Sequence, residues 1–271
     1  MDNGINYCSN FKLKKGIKPY MFTNVLLTGV GVGMSTFIGS LLSFPIKKIT
    51  HKMNDIILSF AAGIMLAATV FSLIIPSMEQ PNSTLFATIA GIAAGAFFIT
   101  ILDKAVPHIH NYIEPSLADT GNRESLDKVI LFLLAIAIHN FPEGLAVGVS
   151  FTGDNIGNAL SIAIGISLQN IPEGMITIIP LIAAGLDRKR AMIIALITGL
   201  TEVLGTLIGY AAISVSAVIL PFILAFAGGT MLFVISHEMI PDTHSHGYEN
   251  QATYSLIAGF IVMLCIDYLF A

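Results

Sequence analysis

Charge is what this sequence has least of. Only 11% of its 271 residues are Asp, Glu, Lys or Arg, where a soluble domain carries about a quarter. An ordinary soluble enzyme is excluded on that ground. The formal net charge is −4 and no basic cluster of the kind that reads nucleic acid is present, so nucleic acid is not an expected partner. Cysteine is nearly absent as well. Cys8 and Cys265 stand at opposite ends of the chain, which argues against both a disulfide framework and a thiolate metal site. Residues 1–20 lack the apolar run of a cleavable signal, so the first apolar segment is expected to act as an uncleaved anchor.

Long hydrophobic runs are what the chain has in abundance. Hydrophobic residues make up 55% of it and the mean hydropathy is +0.81. Eight blocks approach the ~20 residues that a helix needs to span a bilayer: Tyr20–Phe44, Ile56–Met78, Leu85–Leu102, Val129–Phe151, Ile156–Ala184, Ala191–Ala212, Val215–Ile235 and Ala252–Phe270. The expected fold is all-α, a polytopic membrane bundle of eight transmembrane helices. It comprises a polar tail at 1–19, one eight-helix transmembrane domain at 20–271, and a cytoplasmic loop at 103–128. Lys47, Lys48 and Lys52 fall between spans one and two. Lys104, Arg123 and Lys128 fall between three and four, and Arg188, Lys189 and Arg190 between five and six, while the alternate loops hold none. By the positive-inside rule the basic loops are cytoplasmic and both termini face outward, with the cell (inner) membrane as the expected location. Lys12, Lys14, Lys15 and Lys18 in the tail dissent from that orientation. Gly29/Gly33, Gly91/Gly95, Gly144/Gly148 and Gly205/Gly209 repeat at the spacing that lets helices approach closely in lipid.

Three carboxylates, Glu143, Glu173 and Glu202, fall well inside spans, and no Lys or Arg does. A charged side chain there costs roughly 2.5–3.5 kcal/mol on insertion scales. The plain reading is that these acids are protonated in hydrocarbon. The sharper one is that a mobile cation, or two, supplies the missing charge. The pattern around them favours the cation. HNFPEG at 139–144 and QNIPEG at 169–174 match position by position: His139 with Gln169, Asn140 with Asn170, Pro142 with Pro172, Glu143 with Glu173. His139 and Glu143, four apart, share a helix face, as do Gln169 and Glu173. Consecutive spans joined by a short loop are antiparallel, so the two motifs form a pseudo-two-fold pair, the inverted-repeat logic of secondary transporters with a site near the midplane. Pro142 and Pro172 each remove a helix hydrogen bond; an ordinary kink is an equally available explanation. Imidazole, carboxylate and amide together point to a divalent transition metal and not to Na⁺ or K⁺.

At these residues the chain resembles the ZIP (Zrt-/Irt-like) metal transporters, and the PEG of both motifs with Gln169 in place of a histidine resembles their GufA-type bacterial branch. The similarity extends to FAAGIMLAATVFSLIIPSME at 60–79, LDKAVPHIH at 102–110, GLTEVLGTLIG at 199–209 and SHEMIPDTH at 236–244. The resemblance implies a binuclear site. One ion would meet Met65, His139, Glu143, Gln169 and Glu173. The other would meet Asn140, Asn170 and Glu202, with Glu143 and Glu173 bridging. Asn170 departs from relatives that carry an acid there, and an amide is the weaker ligand.

Five further histidines lie at two loop roots on the expected cytoplasmic side: His108 and His110, then His237, His244 and His246. With Asp103, Glu238 and the neighbouring Asp242 they form an expected relay for metal leaving the bundle. His51 reads as interfacial. Ser72, one face along from Met65, is a candidate to line the path by which the ion comes in; helix packing explains it equally well. The expected function is transport of a divalent metal, zinc first, then iron, manganese, cobalt or cadmium, toward the cytoplasm. The metal is bound substrate and not a cofactor. The expected partners are that ion and the bilayer, with a homodimer as a candidate assembly. An efflux carrier or channel, and an intramembrane metal-dependent hydrolase, remain as alternatives. Against the hydrolase, HNFPEG is not H-E-x-x-H and no nucleophile stands out.

Overall fold

The computed structural model describes residues 19–44, 50–80, 83–105, 139–151, 156–183, 186–215 and 217–270. The polar tail up to residue 18, most of the 103–128 loop, the first half of the fourth span, His108, His110 and the side chain of Asp103 lie outside the described residues. Eight helices are seen among them: α1 (Pro19–Leu42), α2 (His51–Glu79), α3 (Leu85–Ala105), α4 (139–150), α5 (Ile156–Ala183), α6 (Arg188–Val215), α7 (Leu220–Thr243) and α8 (Glu249–Phe270). Six of them are long and apolar enough to cross a membrane.

Their surfaces are inverted relative to a soluble protein. On α6, Ile193, Ile197, Leu200, Leu204 and Ile208 are exposed, while Thr198, Glu202 and Thr206 are fully buried. An apolar outside around a polar inside is what a bilayer solvent selects, because only protein is available to satisfy the polar groups. The chain is an integral, multi-pass membrane protein.

Helix contacts divide the bundle into two sets. α1 packs along α5 and α6, α2 along α8, and α3 along α7; α2 and α5 make the main contact between the sets. α4 joins the first set through Gly144 and Gly148, whose absent side chains let α6 approach at Glu202 and Thr206. The close approaches stay within a set: Gly33 lies on Gly199, Gly63 on Leu256, Gly95 on Phe226. Where a glycine faces the other set, at Gly165, it meets the flexible Met263 side chain and not backbone.

One end of the bundle gathers the basic residues. There the Arg188 guanidinium at the start of α6 sits 5.5 Å from the Phe44 ring after α1, and Ser255 near the start of α8 donates to the Ile56 carbonyl of α2. This is the end expected to be cytoplasmic.

Two helix boundaries differ from expectation in a way that matters. The seventh span, expected as Val215–Ile235, begins after a 3₁₀ turn at Ala217–Ile219 and runs on to Thr243. It passes through a π-helical turn at Ile235–Met239, where the Ile240 N–H bonds to the Ile235 carbonyl. α2 likewise holds a π turn at Ala68–Ile74, closed by the Ile75 N–H on the Val70 carbonyl. A proline succeeds each turn, Pro76 and Pro241. The wider turn tolerates a residue that lacks an N–H and crowds the preceding carbonyl, so the helix continues where a proline suggests an end. α5, in contrast, is helical through Pro172.

Gly63→Leu is expected to lower the melting temperature of the purified protein, because a Cβ there overlaps the Leu256 carbonyl and the nearby Phe260 nitrogen; forced overpacking costs about 1–3 kcal/mol. Gly31→Leu, with nothing within 4 Å of its Cβ position, is expected to leave the melting temperature unchanged in a fluorescence-detected thermal scan.

Candidate metal centre

The twin motifs come together inside the bundle. Met65 from α2, His139, Asn140 and Glu143 from α4, and Glu173 and Thr177 from α5 line one cavity of about 160 Å³, together with Glu238 and Asp242 from α7. Leu58, Ile176 and Met239 supply apolar wall. α4 and α5 place the two PEG segments side by side because Gly144 seats α4 on α6 at Glu202 and Gly174 seats α5 on α1 at Thr36. Met65, Glu143, Gln169, Asn140, Asn170 and Glu202 are all buried. The cavity extends along the second half of α5 and the end of α7, toward the basic end.

Two layers of hydrogen bonding separate the expected ligands. In the first, Gln169 Nε2 donates to Glu143 Oε1 at 2.6 Å. Glu143 Oε2 and Gln169 Oε1 are buried without a hydrogen-bond partner. In the second, Glu202 is saturated: Asn140 Nδ2 and Thr36 Oγ1 donate to its Oε1 at 2.8 and 2.9 Å, and Asn170 Nδ2 donates to its Oε2 at 2.7 Å. Asn170 Oδ1 is left buried and unpaired. Amide hydrogens thus supply the partial positive charge that Glu202 needs. Thr36, on α1 and 166 residues away in sequence, was not among the expected site residues; nothing in its local sequence marks it.

His139 faces the other set of helices. Its Nε2 lies 3.1 Å from Glu238 Oε1 and 3.0 Å from Oε2. Among the described residues no three His, Cys, Asp or Glu side chains converge tightly enough to hold an ion by themselves. The set therefore depends on the softer or neutral donors Met65 and Gln169, and on His139 turning from Glu238. An oxygen-rich group with one imidazole and one thioether suits a divalent transition metal held loosely.

The expected cytoplasmic exit relay is divided by the fold. Glu238 lines the cavity, and so does Asp242, a carboxylate one turn further along α7. His237 points elsewhere: it is exposed and packs on Phe233, ring centroids 4.9 Å apart. Of this adjacent pair only Glu238 lines the cavity. His244 is also redirected, since Nδ1 meets the Ile240 carbonyl at 2.9 Å and Nε2 meets the Thr253 hydroxyl at 3.1 Å. Both ring nitrogens are spent on closing the end of α7. His246 pairs with Asp55 and stacks on His51. Ser72 is fully buried and donates to Asp267 Oδ1 at 3.0 Å, which also accepts from Ser161 at 3.1 Å. Asp267 thereby ties α2, α5 and α8 together, and Ser72 does not line the cavity. Asp267, near the end of α8, is held by these serines.

The chain is similar in sequence to known proteins over most of its length. A family model described as ZIP Zinc transporter matches residues 120–267. The Zinc transporter GufA of Myxococcus xanthus is 38% identical over 249 residues, covering 89% of this chain and 97% of that protein. The Zinc transporter ZIPB of Bordetella bronchiseptica is 37% identical over 254 residues, covering 89% and 80%. The human Zinc transporter ZIP11 is 28% identical over 317 residues, covering 86% and 93%. The helical membrane bundle, the paired PEG motifs packed at one cavity and these similarities agree, and the chain belongs to the ZIP transporter family, in its GufA-type bacterial branch.

Proposed function

We propose that this protein carries a divalent transition-metal ion, zinc first, across the membrane toward the cytoplasm, and that Met65, His139, Glu143, Gln169 and Glu173 hold the ion in transit. The observation that carries this reading is the pair of unpaired, fully buried oxygens on Glu143 and Gln169 beside the cavity. A buried acceptor without a donor costs about 1–3 kcal/mol, more if charged. A cation relieves both at once, and no Lys or Arg among the described residues lines the cavity to do so. The relatives' names as zinc transporters support the choice of ion.

Direction rests on charge. The cavity extends toward the end that bears Lys52, Arg188, Lys189 and Arg190, which the positive-inside rule assigns to the cytoplasm. Glu238 is suited to take the ion next, because it already competes for His139 Nε2. An efflux carrier or a channel uses the same ligands. Flux in proteoliposomes under inward and outward gradients, with a panel of divalent ions, separates these readings.

One ion at the central site is the favoured occupancy. The residues of the implied second site, Asn140, Asn170 and Glu202, are tied to one another, and Thr36 completes the set.

Glu143→Ala/Glu173→Ala is expected to reduce Zn²⁺ uptake to that of protein-free liposomes; undiminished uptake by the well-folded double variant refutes the proposed ligand set. Asn170→Asp exchanges a donor to Glu202 for a second carboxylate. Leaving a buried charge unpaired costs roughly 3–5 kcal/mol, so the melting temperature in chelator is expected to drop. Added Zn²⁺ is expected to restore it, with one more ion bound per chain than in the parent protein by equilibrium dialysis.

A further inference from the structure

A second cluster lies one helical turn beyond the cavity wall. Leu58 and Asp242 line the cavity from α2 and α7. Three residues before Leu58 is Asp55, and four after Asp242 is His246, in the turn to α8. Asp55 is completely buried. Its Oδ1 faces His246 Nδ1 at 2.9 Å. Its Oδ2 is buried with no hydrogen-bond partner, as is Ser59 Oγ one turn on. No Lys or Arg among the described residues pairs with it. His51, one turn back along α2, stacks on His246 with centroids 4.6 Å apart and an interplanar angle of 26°.

We propose that His51 and His246 form a further metal site, binding a divalent transition-metal ion through two imidazoles, with Asp55 as the buried carboxylate that orients His246. The Asp55–His246 contact is the arrangement that prepares an imidazole for a metal. A carboxylate on one ring nitrogen sets the tautomer and raises the basicity of the other. His246 donates from Nδ1, so Nε2 carries the lone pair, and its one further contact is long, 3.4 Å to the Ser245 hydroxyl. His246 is 28% exposed on its side chain and His51 is exposed, so an ion reaches both. Stacked rings do not point at one ion; the exposed His51 ring turns on its side-chain torsions to complete the pair. No third His, Cys, Asp or Glu among the described residues is in place, and water fills the remaining positions.

The ion in turn benefits Asp55. Metal on Nε2 makes the Nδ1–H a stronger donor, and positive charge arrives beside a carboxylate whose second oxygen is unpaired. The site stands at the cavity's own end of the bundle, where an ion released past Glu238 and Asp242 emerges. It rests on the transport reading only for the class of ion, and it is testable with the central ligands removed.

The experiment is a Co²⁺ titration of purified full-length protein carrying Glu143→Ala/Glu173→Ala, monitored by visible ligand-field absorption and by equilibrium dialysis. His246→Ala and His51→Ala, made separately, are each expected to remove one bound equivalent. His244→Ala, whose ring is already spent, is expected to retain it. Unchanged stoichiometry in folded His246→Ala and His51→Ala proteins overturns the proposal, since the ion then binds elsewhere. Asp55→Asn is expected to weaken Co²⁺ binding on the order of 10–100-fold. A merely structural Asp55 would lower the melting temperature in chelator and leave the Co²⁺ affinity of the folded protein unchanged. Loss of uptake in the Glu143/Glu173 double variant together with retained Co²⁺ at His246 separates the failure of one reading from that of the other.

Discussion

A carboxylate enclosed in an apolar bundle must be met by positive charge or by donors, and the arrangement of this protein depends on how each one is met. Glu202 has three donors, Thr36, Asn140 and Asn170. Asp267 has two serines. Asp55 has one imidazole and an unpaired oxygen. Glu143 has one amide and an unpaired oxygen beside a cavity. The degree of saturation sorts these groups. A carboxylate that accepts from several other helices fastens them together. A partly donated one keeps an acceptor in reserve, which is costly unless something comes to fill it.

The same contrast runs through the packing. Backbone meets backbone within each helix set, at glycines that leave no room for a side chain. Between the sets, side chains make the contacts: Met263 over Gly165, His139 with Glu238, Ser161 with Asp267. The polar crossings lie away from the glycine seams, and two residues that take part in them or support them come from π turns: Ser72 in α2 and Glu238 in α7. A π turn widens the helix by one residue and rotates the segment beyond it. It is therefore a means of aiming a side chain that an unbroken α-helix would point elsewhere.

Much of this is legible in the chain itself. The scarcity of charge and the length of the apolar runs announce a membrane bundle, and the recurrence of N-x-P-E-G thirty residues apart picks out Glu143 and Glu173 as partners. Other features mislead for identifiable reasons. The seventh span is expected to end at Ile235, yet a π turn carries α7 on to Thr243, so residues expected in a loop stand on a helix. His237 and Glu238 read as a pair, yet His237 packs on Phe233 and of the two only Glu238 reaches the cavity. His244 reads as a metal relay, yet its ring closes a helix end.

The amino-acid sequence by itself determined the solvent this chain folds in, the number of its apolar runs and the chemistry of its central residues, since composition and periodicity are local properties. Only the tertiary structure decided which polar groups are spent and which are held open. Thr36 lies 166 residues from the Glu202 it satisfies, Glu238 lies 99 from His139, and His246 lies 191 from Asp55. Such pairs form where helices cross, and although glycine spacing marks a face for close packing, no local pattern encodes which helix it meets.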